Sequence, residues 1–227
     1  MEQPVLRVLD LCCGYQSVRR AVEEMFGATH EVRYVGVDCE QKHRPTVCAD
    51  VRTWDWRAEL PALFGDDDND VRAVDVVWAS PPCTQYSIAR TRGPPRDFEL
   101  ADSIVAACVA IIEGLQPRLW FLENPATGYL KTRPVMQGLE RRKHTCSYCM
   151  YGFEYRKYTN IWTNAGTTLR CCTSATPCDH VAVTGRHPRH AQDGTDPSGR
   201  RGYHPPTTYQ VPQRLMRQLL GAEPTPN

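Results

Sequence analysis

No stretch of this chain approaches the ~20 consecutive apolar residues that a membrane-spanning helix needs, so a membrane span is excluded. The N-terminus lacks a basic start followed by a long apolar run, and no secretory signal is expected. Internal repeats and heptads are also missing, which sets aside solenoids and coiled coils. Net charge is nearly absent: 27 Lys and Arg against 26 Asp and Glu leave +1. Cysteine, by contrast, is abundant. The chain has 11, an odd number, with some inside predicted strands and no secretory signal beside them. A disulfide framework does not follow. The expectation is free thiols in a reducing, intracellular setting, the cytoplasm or nucleus of a host cell, with a metal site as a candidate. The length of 227 residues suits one domain with a small appendage.

The near-zero net charge conceals an asymmetry. Residues 1–125 hold 13 Lys and Arg against 20 Asp and Glu, a net of −7, and residues 126–227 carry +8. The first half is expected to bind a small cofactor that needs no basic surface. The second half is the better candidate for contact with a phosphate backbone, although an asymmetry of this kind is also common on solvated surfaces.

Periodicity predicts strands at Leu6 to Leu11, Val32 to Val37, Val71 to Ala79 and Leu119 to Leu122. Helices are expected over Gln16 to Phe26, over Thr53 to Phe64 with an interruption near Pro61, over Asp97 to Leu115 and over Pro212 to Leu220. The acidic run Asp66 to Asp70 reads as a loop. Strands alternating with helices imply an α/β fold, a doubly wound and mainly parallel sheet covered on both faces. From Asn164 to Pro206 the texture turns to Gly, Pro, Thr, His and Cys without usable periodicity, which marks a small insertion. The expected units are therefore 1–163 as the catalytic domain, 164–206 as a loop-rich target-recognition or metal-binding insertion, and 207–227 as a C-terminal helix and tail.

Trp78-Ala79-Ser80-Pro81-Pro82-Cys83 is the most informative run. Prolines cannot continue a strand ladder, so they stiffen the strand exit and hold the Cys83 thiol over the end of the sheet. Forty residues on, Leu119-Trp120-Phe121-Leu122 ends in Glu123-Asn124-Pro125. Around these lie Leu9-Asp10-Leu11-Cys12-Cys13-Gly14, then Val35-Gly36-Val37-Asp38, then Ala49-Asp50-Val51, and finally Tyr151-Gly152 followed by Arg156-Lys157. In this order and spacing the series resembles the cytosine-C5 DNA methyltransferases, in particular the short forms of phages and large DNA viruses. A virus-encoded chain is within that reading.

The resemblance covers roughly residues 5 to 164. It implies the Rossmann-like fold of class I S-adenosylmethionine-dependent methyltransferases and the transfer of a methyl group to C5 of a flipped-out cytosine in double-stranded DNA. Cys83 would be the nucleophile, adding to C6, and Glu123 the acid that bonds the N3/N4 edge. S-adenosylmethionine would bind along Asp10, Leu11, Cys12, Gly14, Asp38, Cys39, Asp50, Val51, Ser80 and Pro82. Within that set, Asp38 at the end of the second strand suits the ribose hydroxyls, and Asp50 matches the position that bonds the adenine amino group. The sequence departs from the family pattern in several places, among them Thr84, where Gln usually follows the cysteine, and Pro125, where most of the family has an apolar β-branched residue although the short viral forms resemble Pro. Tyr15-Gln16-Ser17 stands where further glycines continue the first turn, and the usual Gln-x-Arg-x-Arg is replaced by Tyr155, Lys157 and Thr159.

Arg90, Arg92 and Arg96 lie in a segment that suits a mobile loop closing over DNA, and with Arg156 and Lys157 they are the expected DNA-binding residues. Cys146 and Cys149 have metal-ligand spacing, but Cys146 falls near a predicted core strand. Cys171 or Cys172, with Cys178 and His180, form the candidate set for a structural Zn²⁺, and His187, His190 and His204 follow. Two other functions stay open: methylation of RNA, and a non-catalytic nucleic-acid-binding relative. Retention of Cys83 and Glu123 argues against the second.

Overall fold

Val5–Leu11 is apolar at nearly every position, and successive residues of a strand must point to opposite faces. Such a strand has to be buried on both sides, as happens when helices cover a parallel sheet. The computed structural model, which describes residues 3–65, 74–189 and 210–222, has that arrangement. Strand β1 (Val5–Leu11) lies inside a seven-stranded sheet. It is followed by α1 (Ser17–Phe26), β2 (Glu31–Asp38), the two-residue β3 (Val47–Cys48), α2 (Trp56–Phe64), β4 (Val76–Ala79), α3 (Phe98–Leu115) and β5 (Leu119–Pro125). These five strands run parallel in the order β3-β2-β1-β4-β5. Two more, β6 (Lys143–Ser147) and β7 (Tyr158–Thr163), extend the sheet beyond β5 in the order β7-β6, with β7 antiparallel to both neighbours.

Leu9, Leu11, Val35, Val37, Val77 and Leu122 face one side, where they meet Trp56, Leu60 and Phe64 of α2 and Val105, Ile112 and Leu115 of α3. Val8, Val76, Trp78, Phe121 and Ile161 face the other, against Val18 and Val22 of α1 and Leu215, Met216 and Leu219 of α5 (Gln213–Leu220). At ~1.5–3 kcal/mol for each large side chain buried, these two layers are the main favourable contribution to folding. The helix starts are capped where the sequence offers Asp. Asp97 accepts from the Leu100 N–H at 2.9 Å and Asp55 from the Ala58 N–H at 3.3 Å.

Several expectations change. Helix α2 is not interrupted at Pro61 but runs through it. A proline there forfeits one backbone bond, and the burial of Pro61 with its neighbours Leu60 and Phe64 outweighs that loss. Strand β7 carries no clear alternation because it lies between β5 and β6 and is buried along nearly its whole length, whereas β6 is the edge strand and is buried only at Cys146 and Ser147. The segment expected as an insertion holds a short helix, α4 (Asp179–Thr184); residues 190–206 of that segment, with the expected loop Asp66–Asp70 and the first residues of the expected strand from Val71, lie outside the described residues. Helix α5 shares the core of α1 and pairs with it through Arg217 and Glu24 at 2.6 Å. Among the described residues no helix is long and apolar enough to cross a membrane, and all eleven cysteines are free thiols.

Candidate active site

In a parallel sheet the loops that leave the strand C-termini meet along one edge, where such folds bind ligands. The first of these loops, Cys12 to Gln16, is tight. Cys12, Gly14 and Gln16 have φ of 56°, 47° and 53°. Cys12 and Gln16 thus adopt the left-handed conformation that glycine takes freely, at a cost of roughly 1–2 kcal/mol each. The Gln16 side chain offsets part of this by donating to the carbonyls of His43 at 2.9 Å and Arg44 at 2.7 Å. The turn geometry therefore survives the loss of its glycines. A Cβ added at Gly14 would meet nothing within 4 Å, so the space in front of the turn is open.

Asp38 stands directly beside this turn. Its Oδ2 accepts from the Gly14 N–H at 2.9 Å, and its Oδ1 accepts from the Glu40 N–H at 2.8 Å and lies 3.2 Å from His43 Nδ1. The Asp38 carbonyl accepts from the Ala49 N–H at 3.1 Å, which brings Asp50 and the buried Val51 to the same edge. Asp50 faces solvent and is gripped by Arg52, whose Nε lies 3.0 and 3.1 Å from its two oxygens. That pairing holds the Asp50 carboxyl below the usual carboxylate range. Cys39 is exposed at the edge.

Three expected cofactor residues point elsewhere. The Asp10 side chain turns into the core, 1% exposed, and accepts from the Tyr34 hydroxyl at 2.7 Å. Burial pushes its pKa up to about 7, against the opposing effect of that bond. Leu11 is fully buried, so only its backbone reaches the edge. The Cys12 thiol pairs with that of Cys108, and this contact together with burial raises its pKa well above the ordinary thiol value. These side chains shape the turn from beneath.

The second part of the site lies at the ends of β4 and β5, which are paired neighbours. Ser80 Oγ accepts from the Trp78 indole N–H at 2.8 Å, and the Ser80 N–H donates to the Leu11 carbonyl at 3.0 Å. Pro82 is exposed and Cys83 half-buried. The Cys83 carbonyl accepts from the N–H groups of Tyr86 and Ser87, so the thiol sits on a closed turn. Tyr86 is fully buried and donates to Asp102 at 2.8 Å, and Arg133 clamps the same carboxylate at 2.8 Å. From β5, Asn124 Nδ2 donates to the Pro81 carbonyl at 2.9 Å, a buried bond that ties the Glu123 strand end to the Cys83 loop. Glu123 is 8% exposed. Its Oε1 accepts from the Tyr148 hydroxyl at 3.1 Å and lies 3.6 Å from Lys157 Nζ. Both contacts fall on one oxygen, and neither engages Oε2.

Burial raises the Cys83 pKa, the negative charge of Glu123 raises it further, and Lys157 pulls it back. Lys157 thus acts on both groups, and its Nζ also lies 4.7 Å from the centre of the Tyr148 ring. Sequence reading expected Asn124 to brace the turn, which its bond to Pro81 does, but missed Tyr148 and the Tyr86–Asp102–Arg133 brace. Position alone marked Lys157, where the family pattern has Arg.

The arginines divide. Arg96 donates to the carbonyls of Gln85 at 2.6 Å and Ser87 at 2.8 Å, and Arg90 donates to the Pro94 carbonyl at 2.7 Å. Both therefore staple their own loop in this structure. Arg92 and Arg156 are exposed, Arg156 with its guanidinium over the Tyr158 ring.

The expected metal set is corrected. The side chains that converge are Cys149, Cys172, Cys178 and His187, with their ligand atoms all within 4.8 Å of one another. Cys171 points away and contacts the Thr145 carbonyl at 3.2 Å, and His180 lies on α4 outside the group. Two adjacent residues of an extended chain face opposite sides, so only one of Cys171 and Cys172 turns inward.

Two surface cavities lie away from all these groups. One, of about 310 Å³, is lined by Arg20, Tyr151 and Arg214 among others. The other, of about 480 Å³, lies between α3 and the Gly138–Arg142 segment.

A sheet of order 3-2-1-4-5-7-6 with one antiparallel strand, and a ligand edge carrying a glycine turn and an acidic second-strand end, defines a class I methyltransferase. The particular family follows from the sequence of that edge. The model of the C-5 cytosine-specific DNA methylases matches residues 6–133, and the chain belongs to that family. It is 28% identical over 231 residues to a "Probable DNA (cytosine-5)-methyltransferase" of Frog virus 3 (isolate Goorha), covering 95% of this chain and 99% of the relative. Among solved structures, a prophage-encoded protein described as a DNA modification methyltransferase (E. coli) is similar at 16% identity with a TM-score of 0.49. The match covers 70% of this chain and spans about half, 46%, of that protein.

Proposed function

We propose that this protein transfers a methyl group to C5 of a flipped-out cytosine in DNA, with Cys83 as the nucleophile and Glu123 as the acid. One observation carries the reading. The thiol and the carboxyl stand at the ends of the paired strands β4 and β5, their loops are joined by the Asn124–Pro81 bond, and Lys157 acts electrostatically on both.

The chemistry assigns each residue a task. The Cys83 sulfur, as thiolate, adds to C6, and the Glu123 carboxyl delivers a proton to N3. Electron density released by that addition collects at C5. S-adenosylmethionine, when bound, supplies the electrophilic methyl group. The C5 proton then passes to solvent water, the electron pair of the Cys83–C6 bond returns to sulfur as that bond breaks, and N3 gives its proton back to the Glu123 carboxylate, which restores the ring. Lys157 lowers the cost of the thiolate and steadies the carboxyl on Oε1, and Tyr148 fixes its orientation. Asn124 keeps the two strand ends at a constant separation.

The residues fit S-adenosylmethionine. The turn at Gly14 opens onto free space. A carboxylate offers about four acceptor sites, so Asp38 keeps capacity for a hydroxyl beyond the groups it already engages. Asp50 would meet the adenine amino group by exchanging one contact with Arg52. Exposed Arg92 and Arg156 suit the phosphate backbone. The Cys/His cluster adds a structural Zn²⁺ to the reading.

DNA carrying 5-fluorocytosine tests the assignment, because fluorine does not leave as the proton does. With S-adenosylmethionine present, a covalent adduct is expected that peptide mapping locates at Cys83, and Cys83→Ser should form none. Bisulfite sequencing of DNA from expressing cells should show new methylcytosine. An adduct at another cysteine overturns the site. Methylation of RNA and not of DNA moves the substrate.

A further inference from the structure

The segment from Gly166 to Arg189 has almost nothing to hold it by apolar burial. Its only buried side chains are Cys172 and Cys178. They pack with Cys149, against the partly buried Met150 and Val181. A loop-rich piece of this size needs a staple, either covalent or metallic. His187 Nε2 lies 3.6 Å from Cys172 Sγ and 3.5 Å from Cys178 Sγ. In a tetrahedral zinc site the Zn–S and Zn–N bonds of ~2.3 and ~2.05 Å place nitrogen and sulfur about 3.6 Å apart. His187 therefore already stands at the spacing of such a site from two of the sulfurs, all four ligand atoms lie within 4.8 Å of one another, and three sulfurs with one imidazole are the donors of a closed structural zinc.

The surroundings of the cluster give it a second role. Glu123 is held by Tyr148 and Lys157, and the neighbours of both are anchored on the cluster. Tyr148 lies between Ser147 and Cys149. Ser147 Oγ accepts from the Cys172 N–H at 3.0 Å, and Cys149 is itself a member of the cluster. Lys157 precedes Tyr158, whose hydroxyl donates to the Cys172 carbonyl at 2.7 Å. One residue, Cys172, thus fastens both chain segments that grip the carboxyl.

The geometry points to a Zn²⁺ ion bound by Cys149, Cys172, Cys178 and His187 that positions the Tyr148 and Lys157 side of the Glu123 carboxyl as well as pinning the insertion. Binding releases the three thiol protons to solvent, and the metal keeps its charge state throughout. The positioning part rests on the reading of Glu123 as the acid; the metal site does not.

The full-length chain provides the test. Mass spectrometry of the purified protein should find about one zinc per chain, and exchange for Co²⁺ should give the visible bands of a tetrahedral thiolate site. Cys149→Ser and Cys178→Ser should lose the metal. Cys171→Ser, one residue from a ligand, should keep it. After the zinc is stripped with chelator, turnover on DNA should fall by at least about tenfold. Affinity for S-adenosylmethionine, read by calorimetry, should stay within about twofold, because the side-chain contacts of Asp38 and Asp50 run to Gly14, Glu40, His43 and Arg52 and not to the cluster, and added Zn²⁺ should restore the rate. A chain that takes up neither metal, or a Cys178→Ser variant that keeps its zinc, overturns the site. Unchanged turnover in stripped protein, or cofactor affinity lost in parallel with rate, overturns the positioning role. A zinc-loaded chain that methylates nothing leaves the metal site standing and sinks the methyltransferase reading instead.

Discussion

Asp38 and Glu123 stand on the same sheet edge, yet each is held in a different way. Asp38, in the acidic half of the chain, accepts from two backbone N–H groups and touches one imidazole. Glu123 takes its fixed contacts from side chains, Tyr148 and Lys157, supplied by the basic half. Backbone donors come with the turn and survive most substitutions around it, as the glycine-poor first loop demonstrates. Side-chain donors depend on the particular residues and on whatever keeps their segments in place. The cofactor side is therefore expected to tolerate sequence change, and the chemical side to be sensitive to it. The cores differ in the same sense: aliphatic strands and helices underlie the first, and cysteines with hydrogen bonds underlie the outer part of the second.

The comparison is sharpest at Glu123. Glu123→Gln should reduce the rate of adduct formation with 5-fluorocytosine DNA by ~10²–10⁴-fold, the usual contribution of a general acid, while cofactor binding stays intact. A loss below tenfold would mean that the carboxyl does not assist the addition and would erase the distinction between the two sides.

A smaller effect belongs to the backbone-held partner. Asp38→Ala should weaken S-adenosylmethionine binding by roughly 1–3 kcal/mol, the range for a lost hydrogen bond to a charged group. Calorimetry reads it, after circular dichroism has shown the fold intact. An unchanged titration would place the cofactor off this edge.

The smallest effect is on stability. Asp10 has a folded-state pKa of about 7, above the ~3.9 of an exposed Asp. The folded state therefore holds this proton more tightly than the unfolded chain does. Its penalty is absent below pH ~4, grows as pH rises to ~7 and is constant above that. Asp10→Asn keeps an acceptor for Tyr34 and removes the titration. It should raise stability relative to the parent by about 1–2 kcal/mol at pH 8 and by little at pH 4, as read by urea unfolding. Equal differences at both pH values would show that Asp10 does not titrate in this window.

Much of the first half was legible from the sequence. The strand Leu6 to Leu11, the helix Asp97 to Leu115 and the Pro-Pro exit before Cys83 are local signals, in which apolar period and backbone restriction speak without long-range partners. Lys157 and Tyr148 were not legible in the same way. Each acquires its meaning from Glu123, some 25–34 residues away, through the antiparallel pairing of β7 with β5 and of β6 with β7. The metal ligands divide along the same line. Cys149, Cys178, the Cys171–Cys172 pair and His187 were visible as candidate donors, but spacing does not say which side of an extended chain faces inward, or that Cys149, in the turn after β6, meets the other three.

The sequence by itself determined the α/β order, the thiol and carboxyl at two strand ends, and the family, because these rest on residue type, local backbone restriction and motif order. Only the tertiary structure decided that Asp10 is a buried acid beneath the turn, that Arg90 and Arg96 serve their own loop, and that Cys149, Cys172, Cys178 and His187 meet. Those outcomes depend on burial and on contacts between distant segments. Both are set by how the sheet orders its strands, and no window along the chain contains them.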